Sequence, residues 1–274
     1  MLVSILIPCH NAEEWVAQAI ESALSQTWFE KEVIVVDDGS TDRSLDEIRK
    51  FDGRILWESG PRRGANAARN RLLELACGKW LQYLDADDYL APEKVAAQMK
   101  YVETVPETDV VFSPVTLEYQ IGIDVRREEF DIREPNDPWI LLARWYLPQT
   151  GAALWRRKAL LDVGGWKMDQ PCCQEHELYL RLLMAGKNFV YCERTGAVYR
   201  QFGKGTLSTR DIAEVHRRRL EIERQAEDFL RDCGGLTPQR MRAINDARFE
   251  TARIAWTYDK SFATTVMNEI RQSD

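Results

Sequence analysis

Short β-branched runs alternate with amphipathic stretches over the first hundred residues of this 274-residue chain. In the stretches, apolar positions recur at intervals of three and four residues, which is typical of helices that cover a sheet. The alternation predicts βαβ units and a mainly parallel sheet, and therefore an α/β fold. The predicted strands are residues 3–7, 32–36, 54–57, 80–84 and 110–112.

Two helices are predicted between these strands. In NAEEWVAQAIESALSQT, the apolar residues from Trp15 to Leu24 fall on one stripe. Asn11 stands where an N-cap is expected, with Glu14 three residues later. In GANAARNRLLELACG, Gly78 occupies the place of a left-handed C-cap. The first segment therefore has a predicted start signal, and the second has a predicted stop signal.

The pattern changes in the second half of the chain. SPVTLEYQIGIDVRREEFDI predicts a strand pair, and PNDPWILLARWYL predicts a capped helix. From residue 206 the chain becomes helical and laced with charge, and Thr237 and Pro238 predict an N-cap and first helical residue. A helical C-terminal extension, residues 206–274, is therefore expected.

Composition narrows the class of protein. The formal net charge of −7 argues against a nucleic-acid partner, since phosphate binding requires a clustered basic face. No apolar run approaches the roughly 18 to 20 residues that span a bilayer. The six cysteines lack the spacing of a disulfide framework, which favours a reducing cytoplasm.

Carboxylates follow two of the predicted strands. VVDDGS places Asp37 and Asp38 after one strand, and YLDADDY places Asp85, Asp87 and Asp88 after another. Parallel strands share one carboxyl edge, where ligands of such sheets bind, so both sets are expected in one crevice. Their oxygens suit a hard cation, Mn²⁺ or Mg²⁺, that bridges a diphosphate. The alternative is that they only form turns and caps, which two sites together disfavour.

Several segments, in this order and spacing, closely resemble glycosyltransferase family 2. They are VSILIPCHNAEEWVAQAIESALSQT, EVIVVDDGSTDRS, GANAARN and KWLQYLDADD, continued by TGAALWRRKALLDVGGW and QEHELYLRLLMAGKNFVY. The resemblance implies a Rossmann-like domain of the GT-A type and inverting transfer of a sugar to an acceptor hydroxyl. It also implies a nucleotide diphosphate sugar donor and a divalent metal.

Residue by residue, the resemblance assigns the nucleotide-sugar site and makes Asp87 the metal ligand. The nucleotide-sugar positions are Pro8, His10, Asn11, Asp37, Asp38, Arg69 and Asp85. Simpler interpretations stay open for some of them. Asn11 could serve only as a cap, Arg69 could lie on the surface, and Asp88 is expected only to begin the next turn.

The segment CCQEHEL begins a helix that carries the expected general base. Where relatives have Glu-Asp, this chain has Gln174 and Glu175, so the resemblance makes Glu175 the base. His176 is a reserve candidate, and Glu177 is expected to pair with Arg181. A zinc site formed by the two cysteines with His176 is disfavoured, because a second ligand pair is missing.

The chain departs from the family where many relatives have a histidine, near Phe202. Arg200 or Lys204 is expected to supply the missing positive charge to the departing diphosphate. Trp166 is expected to stack on the acceptor sugar, since aromatic faces often pack on sugar rings. These departures leave open a catalytically silent sugar-nucleotide-binding scaffold. A phosphoacceptor signalling domain is a weaker alternative, because VVDDGS does not end the first strand.

These interpretations divide the chain by function. Residues 1–205 form the expected catalytic domain, with a nucleotide-sugar-binding half, 1–112, and an acceptor-binding half, 113–205. The expected acceptor is a sugar or a lipid-linked glycan in bacterial surface polysaccharide or glycoconjugate synthesis. The helical extension leaves open a homodimer or peripheral association with the inner face of the membrane.

Overall fold

The structure is a computed structural model that describes residues 1–121, 124–132, 136–194, 196–201 and 211–270. The chain forms two compact units, each assembled from separate segments. The sheet unit comprises Met1–Ile132, Pro148–Asp169 and Lys187–Phe202. The helical unit comprises Arg133–Leu147, Gln170–Gly186 and Gly203–Asp274. Segments of the expected acceptor-binding half thus belong to both units, and the functional division at residue 205 stays a prediction.

The sheet unit contains the strands, which form two sheets. In chain order they are β1 (Val3–Cys9), β2 (Lys31–Asp38), β3 (Leu56–Gly60), β4 (Trp80–Tyr83), β5 (Tyr89–Leu90), β6 (Val110–Phe112), β7 (Val115–Ile121), β8 (Asp124–Phe130), β9 (Leu154–Arg156), β10 (Phe189–Tyr191) and β11 (Ala197–Gln201). The larger sheet has the order β10-β6-β9-β4-β1-β2-β3. Its pairs are parallel except where β9 joins β4 and β6, which confirms the mainly parallel sheet.

The smaller sheet has the order β5-β11-β7-β8. The predicted strand pair is confirmed as antiparallel β7 and β8. β11 runs parallel to β7 and antiparallel to β5. Because β5 directly follows the acids at 85–88, this sheet brings β11 alongside them.

Helices cover the sheets and make up the helical unit. Those of the sheet unit are α1 (Val16–Leu24), α2 (Ser44–Arg49), α3 (Ala65–Leu75), α4 (Lys94–Thr104) and α6 (Arg157–Asp162). Those of the helical unit are α5 (Pro138–Ala143), α7 (Gln174–Met184), α8 (Ile212–Asp232), α9 (Pro238–Ala255) and α10 (Lys260–Asn268). The predicted stripe of α1 is buried against β1, with Val16 and Ile20 packed in one core with Ile5 and Ile7.

Helix α9 of the helical unit begins where the sequence predicts. Thr237 accepts a hydrogen bond from the Arg240 N–H, and Pro238 is the first residue of α9, which confirms the predicted cap. Inside the unit, Arg248 and Glu227 form a buried ion pair at 2.7 Å. Among the described residues, no helix combines the length and apolar character needed to cross a bilayer.

The predicted N-cap at Asn11 is wrong. α1 begins only at Val16, and Asn11 lies in the left-handed region with φ of +50°. Asparagine tolerates that conformation because its short side chain bonds locally to the backbone. Its Oδ1 accepts a hydrogen bond of 2.8 Å from the Thr41 N–H, so Asn11 joins the loop after β1 to the loop after β2.

The predicted left-handed C-cap at Gly78 is also wrong. α3 ends at Leu75, the next residue is extended, and Gly78 has no positive φ. The glycine serves a close approach to β1 instead. A Cβ atom at Gly78 would lie 2.6 Å from both the Ser4 backbone nitrogen and its Oγ. The Gly78 N–H donates to that Oγ at 2.8 Å.

Gly78→Ala is expected to lower the free energy of unfolding by about 1–3 kcal/mol, because the new methyl group overlaps backbone that has little room to move. Thermal or urea unfolding measures the effect. Gly60→Ala is the matched control, since Gly60 ends β3 with no heavy atom within 4 Å of a Cβ among the described residues. Equal stability of the two variants would contradict the close-approach role.

Candidate active site

Asp37 and Asp38 lie at the carboxyl end of β2 and are nearly inaccessible to solvent. The two carboxylate oxygens of Asp38 accept hydrogen bonds from the N–H groups of Arg63 at 2.6 Å and Gly64 at 2.8 Å. Asp37 accepts one from the Ser59 hydroxyl at 2.6 Å. The pair therefore ties the end of β2 to the loop that leads into α3.

The loop after β1 meets the same edge of the sheet. Pro8 pairs with Val36 in the parallel register of β1 and β2. The His10 Nδ1 lies 3.0 Å from the main-chain oxygen of Asp38, to which it donates a hydrogen bond. With Asn11 bound to Thr41, the structure brings all three residues of this loop beside Asp37 and Asp38.

Arg69 connects α3 to the acids that follow β4. Its Nη2 lies 2.9 Å from Asp85 Oδ1, and only 5% of the residue is exposed. The surface interpretation of Arg69 is therefore wrong. Burial of a guanidinium is tolerated when a carboxylate pairs with it, as Asp85 does here.

Trp166 covers this arginine. The Arg69 guanidinium carbon lies 4.8 Å from the centre of the indole ring, and the ring packs edge-on against Tyr83 at 5.3 Å. Only 2% of Trp166 is exposed. The expected stacking on an acceptor sugar does not fit this structure, because the ring is enclosed by protein. Trp166 stabilises Arg69 by a cation–π contact instead.

In the acid loop, residues Asp85 to Asp88, two carboxyl groups have raised pKa values. Burial, reinforced by the charge of Asp85, raises the pKa of Asp87 to about 6. Burial also raises the pKa of Asp88 well above its usual range. Asp88 is 1% exposed and accepts a 2.9 Å hydrogen bond from the Arg200 N–H. It does more than begin a turn, because it anchors the loop to β11.

The loop fits a hard divalent cation. Asp85 and Asp87 offer carboxylate oxygens, and a cation would offset the cost of keeping two nearby carboxylates ionised in a partly buried loop. Across the described part of the chain, no group of three or more His, Cys, Asp or Glu side chains is placed to hold a metal. One or two carboxylates, completed by diphosphate oxygens and water, suit Mg²⁺ or Mn²⁺.

Of the two residues predicted to contact the diphosphate, the structure describes only Arg200. Lys204 and the neighbouring Phe202 lie outside the described residues. Arg200 is 7% exposed, and its guanidinium donates to the main-chain oxygen of Asp87 at 2.8 Å and to Glu118 at 3.1 Å. This arrangement does not fit the expected direct contact with a diphosphate. No sequence pattern marks Glu118, because it precedes its partner by 82 residues.

Glu175 lies in the first turn of α7, in the helical unit. The helix begins at Gln174 as predicted, directly after Cys173 in a left-handed conformation with φ of +57°. Leu178 and Tyr179 on the predicted inner face are fully buried. Glu177 pairs with Arg181 at 2.7 Å, which confirms that expectation.

His176 is a poor proton acceptor in this structure. Its ring stacks on Trp145 with centroids 3.7 Å apart, and its buried Nε2 has no hydrogen-bond partner among the described residues. Burial, with a smaller effect of Arg219, lowers the pKa of His176 to about 3. An imidazole with that pKa binds a proton weakly near neutral pH. The enclosed ring and the lowered pKa therefore disfavour His176 as the general base.

The adjacent thiols of Cys172 and Cys173 do not form a metal centre with His176. Their sulfur atoms lie 4.0 Å apart, and both cysteines are free. Burial raises the pKa of the Cys173 thiol, which disfavours the thiolate that zinc requires. Together with the lack of a three-ligand group among the described residues, this argues against the zinc alternative.

A partly buried charge pair on α8 lies against the Trp145–His176 stack. The Arg219 guanidinium lies 4.9 Å from the centre of the Trp145 ring and donates to Glu223 at 3.0 Å. Glu223 is 2% exposed, and burial raises its pKa to about 7. Its carboxyl group therefore titrates near neutral pH.

Glu223→Gln is expected to flatten the pH dependence of stability. The folded-state pKa of Glu223 lies above its ordinary value of 4.5, so its stabilising contribution is complete below pH 4.5 and is lost as the pH rises through about 7. The glutamine variant should therefore gain stability relative to wild type at pH 8. Unfolding at pH 5 and 8 tests this, with the exposed neighbour Glu221→Gln as the control. A wild-type pH profile in Glu223→Gln would contradict it.

Nucleotide-binding proteins of the α/β class carry acids and loops at the carboxyl edge of a parallel sheet, as this unit does. A comparison of sequences identifies the family within this class. The sequence model of "Glycosyl transferase family 2" matches residues 4–163, more than half of the chain. The chain belongs to that family.

Relatives match over part of their length. The Escherichia coli protein WfaP, "UDP-Glc:alpha-D-GlcNAc-diphosphoundecaprenol beta-1,3-glucosyltransferase", is 41% identical over 105 residues, which are 38% of this chain and 42% of that protein. The Pasteurella multocida "Chondroitin synthase" is 39% identical over 102 residues, 36% of this chain and 11% of that protein. The matched region thus spans less than half of either relative.

Solved structures share the fold. Staphylococcus aureus TarS 1–349 in complex with UDP-GlcNAc superposes with a TM-score of 0.66 at 15% identity, covering 98% of this chain and 88% of that chain. The mannosyltransferase PcManGT from Pyrobaculum calidifontis, in complex with GDP-Man and Mn²⁺, gives 0.61 at 18% identity, covering 97% and 78%. The predicted GT-A type α/β fold is confirmed.

Proposed function

We propose that the protein is an inverting glycosyltransferase that moves a sugar from a nucleotide diphosphate sugar to an acceptor hydroxyl, with Mn²⁺ or Mg²⁺. The acid loop carries the proposal. In a chain of glycosyl transferase family 2, Asp87 is partly buried beside Asp85, which Arg69 holds at 2.9 Å. This arrangement presents carboxylate oxygens at the carboxyl edge of the sheet, where a nucleotide ligand is expected.

The proposed donor site lies within the sheet unit. Asp37 and Asp38 with the loop of Pro8, His10 and Asn11 bind the nucleoside. Arg69 and Asp85 lie toward the sugar diphosphate, and Asp87 holds the cation. When bound, the cation neutralises charge that develops on the departing diphosphate. Asp38 is suited to bind a base edge, since each of its oxygens keeps a second lone pair beyond its backbone bond.

Glu175 is the proposed general base. Direct displacement at the anomeric carbon inverts its configuration and requires a group that takes the acceptor's proton. Glu175 lies in the first turn of α7. Aspartate and glutamate perform the same chemistry, so the extra methylene relative to most family members is compatible with the role.

We further propose a cytoplasmic reaction in bacterial surface polysaccharide or glycoconjugate synthesis. The names of WfaP and chondroitin synthase support this setting. A lipid-linked acceptor, like the one in the name of WfaP, would bring the protein to the inner face of the membrane. The exposed aromatic residues Phe249 and Trp256, seven apart on or directly after α9, suit either that surface or a homodimer contact.

A thermal-shift screen of UDP-, GDP- and dTDP-sugars, each with Mn²⁺ or with EDTA, tests the proposal. One nucleotide class should raise the unfolding temperature with Mn²⁺ and much less with EDTA, because ligand binding stabilises the native state. Release of nucleoside diphosphate from the selected donor should follow. No selective shift would contradict the donor site. Selective binding with no turnover would favour the silent scaffold, which the Gln174 substitution in the expected acidic pair makes worth testing.

A further inference from the structure

We infer that Arg200 is a positioning residue that fixes the acid loop in the orientation needed to bind the cation. The inference rests on the proposed metal role of Asp87. It concerns how this chain holds its ligand, and it replaces the expected contact between Arg200 and the diphosphate. The contacts that carry it all lie within the sheet unit.

The first anchor comes from the backbone of β11. Pairing of β11 with β5 places Val198 opposite Tyr89, the residue that follows the acid loop. Two residues further along β11, the Arg200 N–H donates a 2.9 Å hydrogen bond to Asp88 Oδ1. A bond from a backbone donor to a buried carboxylate is strong and directional, so Asp88 is fixed relative to β11.

The second anchor comes from the side chain of the same residue. The Arg200 Nη1 donates a 2.8 Å hydrogen bond to the main-chain oxygen of Asp87. Arg200 therefore binds both sides of the Asp87–Asp88 peptide, one through its guanidinium and one through its backbone. Since the peptide is planar, fixing the Asp87 carbonyl and the Asp88 side chain restricts the direction in which the Asp87 side chain leaves the backbone.

The guanidinium is itself held from every side. Its Nε donates to Glu118 at 3.1 Å, and its Nη2 donates to Gln18 at 2.5 Å. The rings of Trp15 and Tyr89 lie 4.6 and 4.7 Å from the guanidinium carbon. With the bond to the Asp87 oxygen, these make five contacts to the guanidinium of a residue that is 7% exposed, and they leave it little freedom. A planar guanidinium loses less entropy than an ammonium when it is fixed this way.

Glu118 is in turn oriented by two further groups. Tyr89 donates to its Oε2 at 2.6 Å, and the Arg127 Nε donates to the same oxygen at 2.8 Å. The carboxylate that compensates the Arg200 charge is thus built into β7 and held in place. The contacts therefore run from Asp87, the proposed metal ligand, through Arg200 to Glu118, which has no expected contact with donor or acceptor.

Residues that orient a metal ligand typically change metal affinity 10- to 100-fold when they are replaced. Arg200→Met is therefore expected to weaken Mn²⁺ binding by that factor in the presence of the nucleoside diphosphate of the donor that the screen selects. Binding of the same nucleotide in EDTA should change less than about twofold, because Arg200 does not touch it. The free Mn²⁺ signal in electron paramagnetic resonance and calorimetry in EDTA provide the two measurements.

A second variant keeps the test valid if Arg200→Met folds poorly, since that change leaves Glu118 buried without its partner. Arg200→Met with Glu118→Gln removes the uncompensated charge and should show the same loss of Mn²⁺ affinity. Arg156→Met is the matched control. The Arg156 guanidinium carbon also lies over an indole ring, 5.0 Å from the centre of the Trp80 ring, and the side chain donates to a main-chain oxygen. In the strand register Arg156 is opposite Trp80, the first residue of β4, at the end of that strand away from the acid loop.

Three outcomes would overturn the inference. Unchanged Mn²⁺ affinity in both Arg200 variants would show that the loop is oriented without the arginine. Weaker nucleotide binding in EDTA would assign Arg200 to the diphosphate instead. A wild-type protein that binds no Mn²⁺ with any of the three nucleoside diphosphates would remove the metal role of Asp87 and this inference with it. Only that outcome counts against the proposed function.

Discussion

Glu175→Gln is expected to lower sugar transfer roughly 10²- to 10⁴-fold, the range that a positioned general base contributes. The amide keeps the shape of the side chain but accepts no proton, so donor affinity should stay within about twofold. Initial rates with the selected donor and calorimetric titration of that donor measure the two effects. We expect the substitution to affect the chemical step and not donor binding, because the proposed donor contacts all lie in the sheet unit and Glu175 belongs to the helical unit.

Two companion variants separate the base from its surroundings. Glu175→Asp introduces the residue that the family resemblance leads one to expect here, and it should retain much of the activity. His176→Asn should also transfer sugar, because the histidine is a weak proton acceptor with a pKa of about 3. Undiminished transfer in Glu175→Gln would refute the base assignment, and loss of activity in His176→Asn with Glu175 intact would favour the reserve candidate.

Asp87→Asn is expected to weaken Mn²⁺-dependent donor binding by about a hundredfold, or ~3 kcal/mol, because a neutral amide replaces the carboxylate proposed to hold the cation. Donor affinity in EDTA should be nearly the same as in wild type. Calorimetric titration with and without Mn²⁺ measures both quantities.

The control for this variant is Asp46→Asn, which removes an exposed carboxylate from α2 that pairs only with Arg49 in the described contacts. It should leave both affinities unchanged. If Asp87→Asn binds the donor as tightly as wild type in Mn²⁺, the cation is held elsewhere or is not used.

Local patterns predicted the parts of the fold that depend on neighbouring residues. The stripe on α1 follows from helical spacing, and it is buried as expected. Strand β6 matches its predicted bounds, while β3 begins two residues later than predicted, where the apolar run is weak. Only the family motif predicts that Arg69 belongs to the nucleotide-sugar site, because its residue type alone would assign it to the surface.

Long-range contacts explain what the sequence could not show. Gly78 stands after a helix and resembles a C-cap, but its role depends on the approach of Ser4, 74 residues earlier. The sequence alone makes Trp166 a candidate for stacking on a sugar. In the fold, Arg69 and Tyr83 lie against its ring. Arg200 carries a charge that suits a diphosphate, and only the pairing of β11 with β5 shows that the charge is committed to the acid loop.

The stereochemistry of turnover tests the central claim most directly. Proton NMR of the reaction with Mn²⁺ and an α-linked nucleotide sugar, recorded before anomers equilibrate, identifies the configuration of the first sugar product. Direct displacement by a hydroxyl that Glu175 deprotonates predicts the β configuration, formed by wild type and not detectably by Glu175→Gln. A first product with the α configuration would contradict the account.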